Sequence, residues 1–251
     1  MSTGYSYLNC LMLSRFAGTL GYAEDERRYE RLAAEIKAAM VDKWYNSETG
    51  VMATGSQACQ AFALYLDLIA GDDARKAAEH LHNELVEGGY KLTTGNLCSR
   101  YILDALAKHG YVDDAWRLLT REEYPSVGFM IQNEATTFWE RYDPIRNMAM
   151  NSHNHPMYGA CDYFMYAYIA GIKPVSPGWN RFKIEPYMPE NLYSAQAIVD
   201  TVMGEINVRW MRRYGKCVLH VMVPFGATAT VHFCGKRYEV GSGFHTYSVE
   251  E

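Results

Sequence analysis

The 251-residue sequence has no uninterrupted apolar run of the roughly 18 residues a membrane span requires, and no basic start ahead of an apolar stretch. Neither a membrane partner nor a leader is expected, and the reading is a soluble, cytoplasmic chain. Its six cysteines, at 10, 59, 98, 161, 217 and 234, form no close pair. That spacing excludes a disulfide framework and a zinc-ribbon pattern, and it suits buried free thiols in a reducing compartment. A basic excess is missing too: 24 Lys and Arg face 29 Asp and Glu, for a formal net charge of −5. That balance argues against a nucleic-acid partner. Gly241-Ser242-Gly243 lacks the Lys-Ser/Thr and the helix that a phosphate cradle needs, so it reads as a turn before a last strand. No helical His-x-x-x-His accompanies His153-x-His155, which leaves zinc, with Glu140 or Asp143 as third ligand, the lesser reading. No metal and no cofactor are expected.

Twenty tyrosines and five tryptophans stand against this background. They suit either sugar binding or a packed helical core. From Gly4 to about Ile172 the apolar period is helical. Tyr29, Leu32, Ala33, Ile36 and Met40 make one stripe, and Cys59, Phe62, Ala63, Leu66 and Ala70 another. About seven helices are predicted. Three tight turns, at 20–25, 70–74 and 109–115, each set a glycine where a helix can end in a left-handed cap, followed by acids suited to the next first turn. Longer loops, 44–56, 87–94 and 121–136, alternate with these turns. Such alternation predicts an α/α toroid of helical hairpins with its long loops at one rim, where Ser56, Gln57, Thr93, Thr94, Thr137, Glu140 and His155 fall. His80 and His82 read as solvated residues of an outer helix.

After Lys173-Pro174 the period changes to two. Phe182–Glu185, Ile206–Trp210 and Val218–Val223 alternate apolar and polar residues between Pro and Gly punctuation, predicting an antiparallel β-sandwich of about seven strands. With the junction at Gly171–Gly178, the expected domains are 1–172 and 173–251.

The chemistry concentrates in Glu134-Ala-Thr-Thr-Phe-Trp-Glu-Arg-Tyr-Asp143 and His153-Asn-His-Pro-Met-Tyr-Gly159. A carboxylate beside Trp139 can be desolvated into a better base, with Arg141, Thr136 and Thr137 to tune it, which makes Glu140 a candidate general base. Trp139, Phe138 and Tyr142 offer flat faces to a pyranose ring, and Asn154 and His155 can bond its hydroxyls. The bland alternatives stay open. Glu140 can be a surface carboxylate paired with Arg141 or Arg146, Trp139 core, and His155 a helix-start residue satisfied by backbone. Asp143 can hold Arg146 or begin a turn before Pro144. Gln57 and Thr94 serve equally as ligand contacts or helix caps, and Trp44 and Tyr45 are weaker candidates.

The motifs Thr136-Thr137-x-Trp139-Glu140-Arg141, Asn154-His155-Pro156-Met157-x-Gly159, Leu92-Thr-Thr-Gly95 and Glu239-Val-Gly-Ser-Gly243 resemble, in order, the C-terminal half of the bacterial α-L-rhamnosidases, an inverting glycoside hydrolase family. The resemblance implies that Glu140 is the general base and that His155 and Trp139 line the sugar subsite. The family's general acid lies in the preceding half, which no part of this chain matches, and inversion needs two carboxyl groups roughly 6.5–9.5 Å apart. A barrel of six helix pairs is likewise implied, of which about seven helices supply little more than half. A homodimer or a separate N-terminal half is therefore expected to complete it. Two residues depart from the family pattern: Val127 replaces a tryptophan, and Glu134 replaces a glycine. The resemblance thus implies a hydrolase of terminal α-L-rhamnosides. The alternatives are a non-catalytic carbohydrate-binding remnant, or a related toroid enzyme such as a glucosidase or polysaccharide lyase.

Overall fold

The computed structural model describes residues 1–142 and 152–250, and its contacts divide the chain into two compact units, Met1–Gly159 and Ala160–Glu251. The first is built of helical hairpins: α1 (Ser2–Leu20) with α2 (Ala23–Trp44), α3 (Gln57–Tyr65) with α4 (Gly71–Glu87), and α5 (Asn96–Lys108) with α6 (Val112–Thr120). α7 (Val127–Gln132) follows, which gives this unit seven α-helices among the described residues. Local chemistry sets the turns. Gly21 closes α1 at φ +83 and returns its N–H to Ala17 and Gly18, and Glu24, Asp25 and Glu26 then face the positive end of α2. Asp72 and Asp73 do the same for α4, and Asp113 and Asp114 for α6. Ala74, Ala77, Ala78, Leu81 and Leu85 form one fully buried stripe of α4. Each of its leucines contributes about 1.5–3 kcal/mol by burial.

Three expectations are corrected. The second stripe does not continue to Ala70: α3 ends at Tyr65 and Asp67 takes the left-handed turn at φ +51. Leu68 and Ile69 then enter the core at 3% and 6% exposure, and Lys108 holds the Asp67 carboxylate at 2.6 and 2.7 Å. Leu32, placed on the α2 stripe, stays exposed beside buried Ala33. The 44–56 loop contains a small hairpin, β1 (Tyr45–Asn46) with β2 (Val51–Met52), where Tyr45 hydrogen-bonds Asp73 and has its pKa pushed up to about 12 by burial and then by that bond.

The second unit opens with a helical run, 162–169, and continues as eight strands: β3 (Ile172–Pro174), β4 (Arg181–Ile184), β5 (Ser194–Thr201), β6 (Gly204–Arg213), β7 (Lys216–Val223), β8 (Thr228–Phe233), β9 (Lys236–Val240) and β10 (Gly243–Glu250). They form two four-stranded sheets, ordered β10-β7-β6-β5 and β3-β4-β8-β9. Pairing is antiparallel except between β4 and β8, which run parallel, a departure from the all-antiparallel expectation. Every second residue of the central strands is buried, among them Ile206, Val208, Trp210, Leu219 and Val221 in one sheet and Phe182, Ile184 and Val231 in the other. The Trp210 indole donates to the Ile169 carbonyl at 2.7 Å, tying the helical run to the strands. These contacts put 162–169 with the β unit, whereas the sequence period changes at 172/173. Gly241 and Ser242 connect β9 to β10, as the turn reading expects. None of the six cysteines is in a disulfide, but they are not uniformly buried: Cys59 and Cys161 are partly exposed and Cys234 is exposed.

Candidate functional site

The rim can be traced from α3 outward. Ser56 caps α3 by accepting the Cys59 N–H, and the next residue, Gln57, is 1% exposed. Its amide oxygen accepts the Thr93 N–H at 2.9 Å while its nitrogen donates to the Lys91 carbonyl at 2.9 Å. Both ends of this side chain are therefore spent on the 88–95 loop, so Gln57 is a structural clamp and not an open ligand contact. It corrects both halves of the sequence reading, since the cap is Ser56. Thr94 is buried too, with its hydroxyl 2.8 Å from that of Ser99. Behind the clamp, burial holds the Glu84 carboxyl above the usual carboxylate range against the opposing Gln57 hydrogen bond and the nearby His80. Among the described residues, the buried Glu84 Oε2 has no hydrogen-bond partner.

The clamped loop supports the motif segment. Leu92 packs on a cluster of Met130, Trp139, Tyr142 and Tyr158, with Ala135 and Phe138 at its edge. Trp139 is 6% exposed and stacks on the His153 imidazole at 4.8 Å and 19°. It is thus a core residue with a covered face, not the open platform expected, because its neighbours supply enough apolar surface to bury it. Phe138 is partly exposed and lines a cavity of about 220 Å³ with Val127, Met130, Ile131, Ala135, Thr136 and Thr137. Val127 leaves open a space that the larger side chain of a tryptophan would narrow.

Two backbone bonds align the motifs: the Glu140 N–H donates to Ser152 O at 2.9 Å and the His155 N–H to Phe138 O at 2.8 Å. The Thr137 hydroxyl donates to the His153 carbonyl. The half-buried Glu140 carboxylate accepts the Ser152 N–H through Oε2 at 3.0 Å. His155 is partly exposed, and its Nδ1 accepts the Met157 N–H at 3.3 Å. This bond starts the 3-10 turn Pro156–Cys161, as the bland reading anticipated, and assigns the proton of the neutral ring to Nε2. Asn154 and Arg141 are exposed beside these two groups in sequence, the former with its N–H on the Ser152 hydroxyl. Thr137, Trp139, Glu140, Asn154 and His155 are therefore brought together, and Gln57 supports them through the loop. Asp143 and Arg146, proposed as a structural pair, lie outside the described residues. Among the described residues no group of three or more His, Cys, Asp and Glu side chains could hold a metal ion.

Sequence reasoning missed the histidine network. Far from being solvated, His82 is 2.5 Å from Asp114, whose other oxygen accepts the Tyr90 hydroxyl at 2.8 Å, and it stacks on Tyr111. His80 lies 3.3 Å from the Gly55 carbonyl. His82 on α4, Tyr90 on the loop after it and Asp114 on α6 were visible individually, but only the folded chain joins them, through the bonds to the Asp114 carboxylate.

Known proteins resemble the chain over both parts. Residues 1–169 match the family described as the bacterial alpha-L-rhamnosidase 6 hairpin glycosidase domain, and residues 171–248 match the bacterial alpha-L-rhamnosidase C-terminal domain. An alpha-L-rhamnosidase of Streptomyces avermitilis is 32% identical over 99% of this chain. The structure of that organism's enzyme in complex with L-rhamnose superposes with a TM-score of 0.92 at 30% identity, covering 99% of this chain and 26% of the other. The alpha-L-rhamnosidase from Dictyoglumus thermophilum gives the same TM-score at 30% identity, covering 99% of this chain and 31% of the other. The chain spans 26% of the length of the Streptomyces relative. Matched in order through its hairpins and its strands, the chain belongs to the bacterial α-L-rhamnosidase family.

Proposed function

We propose that this chain carries the base half of an inverting α-L-rhamnosidase site, in which Glu140 deprotonates the water that attacks the anomeric carbon of a terminal α-L-rhamnoside. One observation carries the reading: among the described residues the Glu140 carboxylate accepts one hydrogen bond, from the Ser152 N–H at 3.0 Å, beside the backbone pairing that also fixes His155. A carboxylate has about four acceptor positions, so one such bond orients the group and leaves capacity for a water. His155, with Nδ1 engaged, offers Nε2–H to a sugar hydroxyl, while Asn154, Arg141 and Thr137 border the site. Phe138, at the cavity beside Val127, takes over the role of apolar floor from the buried Trp139. The acid that protonates the leaving oxygen comes from outside this chain.

An aryl α-L-rhamnoside tests the reading, because an activated leaving group needs little help from an acid. The chain is expected to release the phenol, and Glu140→Gln to slow release by at least about 100-fold, the size of a lost general base. Equal rates for both proteins would end the assignment. The second reading, a non-catalytic sugar-binding remnant, is favoured by the presence of a single candidate catalytic carboxylate in the described motif segment. It predicts L-rhamnose binding by calorimetry with no turnover and no effect of Glu140→Gln.

The partner follows from α1. Its inner face buries Gly4, Tyr7, Cys10 and Ala17, while Met12, Leu13, Phe16 and Leu20, with Phe16 three residues after Leu13 and four before Leu20, remain 42–70% exposed. This apolar stripe supports association with a second copy or with a separate N-terminal half.

A further inference from the structure

We propose that the β unit carries a second, accessory carbohydrate site: a cleft whose aromatic walls are Tyr193 and Tyr214 and whose polar groups are Arg213 and Glu190, suited to a neutral pyranose with vicinal hydroxyls. The cleft is about 420 Å³, within the size range of small-ligand sites. Tyr193 and Tyr214 line it at 74% and 86% exposure, although aromatic side chains of this size contribute most when covered.

The walls are rigidly placed. Tyr193 directly precedes β5, and its carbonyl accepts the Arg212 N–H at 2.8 Å, which extends the β5–β6 ladder by one rung. The Arg212 guanidinium donates to the Pro189 carbonyl at 2.6 Å and to that of Met188 at 2.8 Å, fixing the loop that presents Glu190. Opposite, Tyr214 and Gly215 form the two-residue turn between β6 and β7, at φ +53 and +69. Turns of this kind favour Asn-Gly, and a tyrosine in the left-handed region is held against backbone preference, a pattern concentrated at ligand clamps. Arg213 sits 4.7 Å from the centre of the Tyr214 ring and donates to its hydroxyl at 3.1 Å, so one ring face is braced.

Charge narrows the ligand. Arg212 is committed to backbone carbonyls, and the remaining Arg213 and Glu190 balance each other. A near-neutral cleft with an aromatic pair, one donor fork and one carboxylate acceptor matches adjacent hydroxyls on an apolar ring better than it matches a phosphate or a polyanion. The site is independent of Glu140 and stands whether or not the chain hydrolyses glycosides.

Affinity electrophoresis of the full chain in gels containing gum arabic, a soluble polysaccharide with terminal rhamnose, tests it in a Glu140→Gln background. Retardation is expected, weakened about 3- to 10-fold by Tyr193→Ala with Tyr214→Asn, as the loss of aromatic stacking predicts, and retained by Tyr214→Phe. Asn is the residue this turn prefers, so Tyr214→Asn removes the ring without endangering the hairpin. Unchanged retardation in the correctly folded double variant would overturn the proposal. So would a tyrosine effect confined to oligomeric state by light scattering, which would make the cleft a protein contact.

Discussion

Glu134 holds φ at +62 and is exposed, at the position where the family resemblance implies a glycine. A side chain in that region is strained by roughly 1–2 kcal/mol, part of which glycine gives back through its freer unfolded chain. Glu134→Gly is therefore expected to stabilise the hairpin unit by about 0.5–1 kcal/mol, read as a higher urea midpoint at unchanged slope. A lower midpoint would mean that the Glu134 side chain makes a compensating contact. Individual residues were the least legible level of this chain. The closeness of Glu140, His155 and the Thr137 hydroxyl was readable from type and spacing, because short motifs fix neighbours along the chain. Trp139 was not, since adjacency to Glu140 says nothing of the Tyr158 and Leu92 surfaces that bury it from remote positions. Gln57 and His82 failed for the same reason: their partners stand 36 and 32 residues away.

Among the elements, Gly171 joins the helical run to β3 at φ +76, where an added Cβ would meet the Glu185 carbonyl carbon at 2.2 Å and the Pro186 nitrogen at 2.3 Å. The Glu185 N–H donates to the Gly171 carbonyl at 2.9 Å, so the two backbones have no room to separate without losing that bond. Gly171→Ala combines left-handed strain with a backbone clash and is expected to destabilise the β unit by about 2 kcal/mol or more, visible as a lower thermal midpoint followed by Trp210 fluorescence. A neutral result would show that β3 and β4 can part at this point. Hairpins were readable because glycine caps and acidic first turns are local signals, as at Gly21 and Glu24–Glu26. The strands emerged from their period of two. The parallel β4–β8 pair did not, because it joins segments more than forty residues apart and nothing in either strand encodes its direction.

At the scale of the whole chain, the stripe on α1 is the feature with the most direct consequence in solution. Phe16→Glu with Leu20→Glu places charges on positions 56% and 70% exposed, so folding is expected to persist while self-association, or binding of an added N-terminal half, is lost in light scattering. A wild-type monomer that binds no hydrophobic dye would remove the partner from the account. The helical-hairpin character of the first unit was legible from the alternation of short turns and long loops, and the chain spans 26% of the length of the Streptomyces relative.

The Gln57 clamp has a consequence for how such a site can diversify. Because that amide grips Lys91 and Thr93, and Leu92 between them props the aromatic cluster under Glu140, the connection after α4 acts as a foundation for a segment remote from it in sequence. An insertion or deletion there would tilt the proposed sugar-facing groups while leaving each of them chemically intact, so under the proposed function substrate preference could drift without any replacement among those groups themselves.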